Sequence, residues 1–370
     1  TSYVYSWIKG AWDENGQPSA LIDEMELYEP GGPLQGTLRP DPHVRQQVSV
    51  TQILYGITDS LTVGVGIPVV IRSEVDIRLG WEGGEYQSRL GRVYSEKDFW
   101  DWARSLGQAK PENFDGNQGV LSDIVLALRY RVSDHIPALM HRNIGVALAI
   151  FGIIPTGRAP DPNELVSVGT TLWDLMTQGD LSVHLGVDKR FGSFLDGRVS
   201  VGLDLFYDLF FTRERTAPTG GEENKLLLNH APFVGDTYEV KPGDWMGAKG
   251  MLSLVLVKGP ARATWLSKND EARAEAFPPL LALDLGYRFL YMQQTDYRSH
   301  APHWDWKNKE ETRRPGMRNF LDAKATFSFL RLGVPLRLYV SYANASWIPG
   351  KNAIAPDMIS TGLQLPLKFW

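Results

Sequence analysis

Seven histidines and no cysteine leave this chain few routes to covalent or metal chemistry. No Walker loop, His-Glu-x-x-His, Gly-x-Ser-x-Gly or cysteine-based pattern occurs, and Gly64-Val65-Gly66 lacks the following helix that a dinucleotide fingerprint needs. His300, His303 and Asp305 have the residue types of metal ligands, but they sit in a Pro-containing stretch that reads better as a solvated loop. No metal site and no cofactor is assigned. A serine hydrolase on a lipid-facing rim would need Ser, His and an orienting group together; His184 projects to the charged face instead, and no enzyme is expected. What remains is charge. Asp123, Arg129, Arg131, His184, Asp188, Arg190, Asp204, Asp208, Lys249, Asp284, Arg288, Asp322, Lys324 and Arg337 all fall on the polar face of alternating segments. Lining a wet passage, they would set its width and ion preference. The same residues could equally pair across strands and fill a narrow interior. With the signs so mixed, strong charge selectivity is not expected.

The elements that position these residues are β-strands. From Leu181 to Phe211 the chain twice alternates with a period of two: Leu181, Val183, Leu185 and Val187 against Ser182, His184 and Asp188, then Val199, Val201, Leu203 and Leu205 against Ser200, Gly202, Asp204 and Asp208. Only a strand sorts such residues onto two faces. The pattern predicts twelve strands: Tyr3 to Ala11, Val44 to Tyr55, Leu61 to Ile71, Gly119 to Val132, Asn143 to Thr156, two around Leu181 and Val199, Trp245 to Val257, Leu280 to Met292, Phe320 to Phe329, Pro335 to Tyr342, and Ile359 to Phe369. Connections alternate in length, short at 56–60, 133–142, 192–197 and 331–334, and long at 73–118, 157–178, 213–242, 293–317 and 346–356. The segment 259–278 is the exception, longer than the others on its side. No linker or shift of composition divides residues 1–370, so one domain is expected. Within it, Pro- and Gly-rich residues 12–43 form a segment able to cap the mouth or plug the lumen.

Alternation alone does not say which face points inward, since a soluble barrel or sandwich gives the same string. Long strands, unequal loops, and Tyr130, Tyr207, Phe211, Tyr291 and Tyr342 near strand ends on the apolar face favour an all-β transmembrane antiparallel barrel, with lipid outside and water within. That class predicts short periplasmic turns, long extracellular loops and a bacterial outer-membrane location, with membrane lipids as the surrounding partner. Twelve Trp and fourteen Tyr suit its aromatic belts. Ile144 to Pro155, the most apolar stretch, falls far short of the roughly 20 residues of a membrane-spanning helix. A net charge of -5 without a Lys/Arg cluster argues against nucleic acid.

Residues 56–68 (GITDSLTVGVGIP), 122–131 (SDIVLALRYR), 154–157 (IPTG) and 179–191 (GDLSVHLGVDKRF) resemble the outer-membrane channels associated with the meta-pathway of phenol degradation. The likeness covers roughly 45–200. It implies a twelve-stranded barrel and a passive channel for small, hydrophobic or aromatic solutes, and it carries no binding residue, because the motifs describe strand and turn chemistry. The other reading kept is a structural barrel that scaffolds a periplasmic or surface protein partner. Glu96 to Leu106 has helical composition, with Phe99, Trp102 and Leu106 on one face; that face can form a constriction at the mouth or pack against neighbouring loops. Leu363 to Trp370 resembles the C-terminal strand signal of outer-membrane proteins, with Trp370 one residue out of register. Asn344-Ala-Ser346 is a sequon by pattern only.

Overall fold

The computed structural model describes residues 1–21, 24–28, 32–105, 114–116, 119–157, 181–191, 197–216, 236–259, 278–299 and 314–366. Twelve of its strands close into one barrel. In chain order they are β1 Ser2–Trp12, β2 Leu34–Gly56, β3 Leu61–Gly83, β4 Ile124–Arg131, β5 Ile144–Ile154, β6 Leu181–Phe191, β7 Val199–Leu209, β8 Trp245–Val257, β9 Leu281–Met292, β10 Gly316–Ser328, β11 Arg337–Asn344 and β12 Ala353–Gln364. Each pairs antiparallel with the next, and β1 pairs with both β12 and β2, which removes every open edge. Twelve is even, so β1 starts and β12 ends at the short-turn rim. There the Thr1 amine donates to the Leu363 carbonyl at 3.0 Å.

Turn chemistry fixes the short-turn rim. Thr58 Oγ1 accepts from the Leu61 N–H at 3.0 Å, and Ser60 Oγ donates to Asp134 Oδ2 at 3.1 Å, tying neighbouring turns together. Between β10 and β11 the chain makes one 3-10 turn, Phe329–Leu332, and leaves it through Gly333 at φ 82°, a left-handed conformation that glycine adopts without Cβ strain.

Orientation follows from exposure. On β7, Val201, Leu203, Leu205 and Tyr207 stand outward and are exposed, Leu203 at 46%. Leu126, Leu128, Leu148, Ile150, Val183, Leu185, Leu285, Val340 and Ile359 continue this apolar belt round neighbouring strands. The alternate residues look into the barrel. At the β1–β3 side the interior holds an apolar cluster, with Val48, Val50 and Val70 buried against Val4. Around β5 to β10 it carries the charged residues and small ones such as Ala147, Ala149, Gly186 and Gly202.

β12 opens at Ala353, six residues before the expected Ile359, and parts of β2 to β4 also depart from expectation. β2 and β3 each run 23 residues, about twice what a tilted membrane strand needs, so residues 34–43, read from sequence as part of a cap or plug segment, and 73–83, read as part of a long connection, continue the β2–β3 hairpin beyond the barrel. Cross-strand and local ion pairs such as Arg39 with Glu82 at 2.5 Å and Arg72 with Glu74 at 2.6 Å decorate it; exposed pairs of this kind add little stability. Gly119 to Val132 is also divided: Val120–Leu121 pair with β3, and β4 starts at Ile124.

The helix expected near Glu96 is present as α1, Glu96–Ser105. Ser95 and Asp98 form its capping box: Ser95 N–H donates to Asp98 Oδ2 at 2.8 Å, and Asp98 N–H to Ser95 Oγ at 3.3 Å. Arg92 adds two bonds to the same carboxylate, at 2.5 and 2.7 Å. Hydrogen bonds from Arg92 and then Ser95 hold the Asp98 carboxyl far below the usual carboxylate range. Because the folded value is the lower one, this anchoring is fully present above the unfolded value of about 4 and is lost as pH falls through the folded value. Asp98→Ala is expected to speed amide exchange in α1 about fivefold and leave the barrel strands unchanged. Hydrogen exchange resolved by segment checks this.

Candidate functional site in the barrel lumen

The inner face of β4 to β9 lines two adjoining cavities of about 310 and 360 Å³. Phe151, His184, Asp204 and Lys249 line both. Strand register explains the assembly: Ala149 pairs with His184, His184 with Phe206, and Asp204 with Lys249, which in turn faces Arg288. Residues two apart on one strand share a face, so Ser182 and His184 on β6 point the same way, as do Asp204, Phe206 and Asp208 on β7.

His184 is the best-held side chain in this wall. One ring nitrogen, Nδ1, lies 3.0 Å from Asp204 Oδ2, and Nε2 lies 2.9 Å from Ser182 Oγ. Ser182 hydrogen-bonds Asp208 in turn. Phe206 stacks on the imidazole at 5.5 Å between centroids, and Phe151 meets it edge-on at 4.9 Å. Phe206 can lie across the wall because Gly247 is opposite; a Cβ there would overlap the ring. Although Ser, His and Asp are in reach of one another, the strand backbone beside Ser182 is paired on both sides in the sheet. The arrangement therefore offers no backbone oxyanion hole among the described residues.

The basic side of the cavities is built round one carboxylate. Asp322 on β10 accepts from Arg288 Nη2 at 2.9 Å and lies 3.5 Å from Lys249 Nζ. Towards the long-loop rim the inner face becomes aromatic, with Phe206, Trp245 and Phe320 joined by Leu290 and Met292. Asp244 fastens this rim: the Tyr207 hydroxyl donates to Oδ2 at 2.6 Å and the Phe210 N–H to Oδ1 at 3.1 Å.

The residues picked from sequence divide by depth. Arg129 and Asp188 line the smaller cavity, Asp208 and Arg288 the larger. Asp284 and Lys324 are directly opposed across β9 and β10, with the Lys324 ammonium 4.7 Å from the Tyr339 ring centroid. Three lie at rims. Arg131 reaches Asp134 at 3.6 Å, Arg190 Nε donates to the Gly197 carbonyl at 3.3 Å, and Asp123 Oδ1 accepts from the Gly157 N–H at 2.9 Å. Arg337 begins β11 at the short-turn rim.

Phe99 is buried with Trp100 against Leu38, Trp81 and Leu79 of the projecting hairpin, its ring 5.3 Å from that of Trp81. It belongs to this packed core, and it does not line the two cavities. Trp102, on the same helix, is half exposed. Leu106, His300, His303, Asp305 and the last residues 367–370 lie outside the described residues. Asn344 of the sequon is wholly buried and donates to the Tyr342 hydroxyl at 2.7 Å, so it is no glycan acceptor in the folded chain. Sequence reasoning missed Phe151, Phe206, Trp245 and Arg318 as inward residues.

No family model and no curated protein matches the chain. Its similarity is to solved barrels. An outer-membrane channel from Pseudomonas putida F1 aligns over 98% of this chain and 93% of its own at 10% identity, with a TM-score of 0.46. The β-domain of the Bordetella autotransporter BrkA aligns over 99% and 98% at 9% identity, TM-score 0.36. The Pseudomonas putida toluene transporter TodX aligns over 99% and 88% at 8% identity, TM-score 0.35.

Proposed function

We propose that this chain is a bacterial outer-membrane channel for passive diffusion of small hydrophobic or aromatic solutes. One observation carries the reading: a closed barrel presents a belt of exposed aliphatic residues on its outer face and keeps charges and cavities within. In water each exposed large aliphatic side chain would forgo about 1.5 to 3 kcal/mol of burial, whereas acyl chains remove that cost and leave the charged interior as the wet path. Phe151 and Phe206 give this path aromatic walls, and the mixed signs of Asp204, Lys249, Arg288 and Asp322 give it weak ion preference. No Walker loop accompanies it in the sequence. The narrower kinship with the phenol meta-pathway channels rests on the strand and turn motifs of residues 45–200.

Reconstitution into planar bilayers tests the reading. Discrete, ohmic openings without added energy are expected. Silence from folded, inserted protein that also co-purifies with a second protein would favour the scaffold instead.

A further inference from the structure

On the inner face of β10, two residues apart, stand Arg318 and Phe320. Arg318 is 5% exposed. Its guanidinium lies 5.8 Å from the Trp245 ring centroid, and neither Nε nor Nη1 has a hydrogen-bond acceptor among the described residues. Arg288 on β9 pairs opposite Phe320 and lays its guanidinium 4.5 Å from that ring centroid. Its Nη2 is taken by Asp322, while its Nε also lacks an acceptor among the described residues. Since Leu290 is the partner of Arg318, the two arginines are diagonal neighbours on one face, within reach of a single small ligand.

A buried guanidinium with idle donors is costly unless an acceptor arrives. Trp245 lies against the Arg318 guanidinium and Phe320 against that of Arg288, and Phe206 lines the larger cavity together with Arg288. A carboxylate matches the planar fork of arginine, and an aromatic ring matches the walls. We propose that the lumen binds an aromatic monocarboxylate here, ring against Phe206, Trp245 and Phe320, carboxylate toward Arg288 and Arg318. A second negative charge on the solute would meet Asp204 and Asp208, which sets the preference for a monoanion. The inference rests on the channel reading and narrows its solute.

Calorimetry on the folded protein in detergent tests binding without requiring conduction. Sodium benzoate is expected to give saturable heat, with benzyl alcohol, benzylamine and acetate each at least about tenfold weaker, the usual size of a lost charged hydrogen bond or ring contact. Arg288→Gln and Arg318→Met should each weaken benzoate by a similar factor, with heat-modifiable migration on gels reporting that the barrel is folded. If Arg318→Met does not fold, Arg288→Gln alone decides. No saturable benzoate heat, equal binding of benzyl alcohol or acetate, preference for benzylamine, or benzoate binding unchanged in a folded variant would each overturn the proposal. Bilayer recordings separate the two claims: openings without benzoate binding leave the channel standing, and binding without openings removes the channel but not the site.

Discussion

Leu205→Arg is expected to destabilise the barrel in lipid vesicles by about 2 to 4 kcal/mol relative to Leu205→Ala, the cost of a cation on the lipid face near the bilayer midplane. Leu205 stands near the middle of β7, outward and exposed. Met251→Arg, on the inner face of the adjacent β8 and lining the smaller cavity, should cost well under half as much, because the new cation meets water. Urea titrations followed by tryptophan fluorescence give both values under one condition. Equal costs for the two substitutions would mean that the faces do not see different solvents.

The second large effect is expected at Asp322. This single carboxylate neutralises Arg288 and Lys249, and its side chain is 16% exposed. Asp322→Asn leaves two cations in the lumen without their partner. Fully buried pairs cost about 3 to 5 kcal/mol when broken in this way, but Arg288 and Lys249 retain contact with water, so about 2 kcal/mol is expected. The functional result is larger in sign than in energy. Reversal potentials in asymmetric KCl should shift toward anions, and the shift should be reduced by adding Lys249→Gln. An unchanged or cation-ward potential would place Asp322 away from the conducting path.

How much of this was legible in the sequence depends on what each strand faces. β6, β7 and β9 separate lipid from water over most of their length, and alternation assigned His184, Asp204, Asp208, Asp284 and Arg288 to one side. Phe206 escaped because Leu205, Phe206 and Tyr207 are apolar on both parities, which reads as the end of alternation instead of an aromatic lumen wall. Arg318 and Trp245 lie at the long-loop rim, where the inner face turns apolar and the two-solvent contrast disappears. The upper halves of β2 and β3 were hidden for another reason. Outside the bilayer neither face meets lipid, so Arg39, Asp41 and Glu82 alternate with prolines and glycines and resemble loop. The packing of Phe99 on Trp81 requires knowing that this hairpin stands upright beside α1. The ion pairs around Asp322 depend on register across three strands, which no single strand reveals.

The central claim is the orientation of the wall. Because the chain has no cysteine, single cysteines placed at 200 to 207 on β7 can each carry a nitroxide without further engineering. In lipid vesicles the labels at 201, 203, 205 and 207 should collide preferentially with oxygen dissolved in the acyl chains. Those at 200, 202, 204 and 206 should respond to a water-soluble nickel chelate, giving a period of two. A flat profile, or one with the two sets exchanged, would contradict the account.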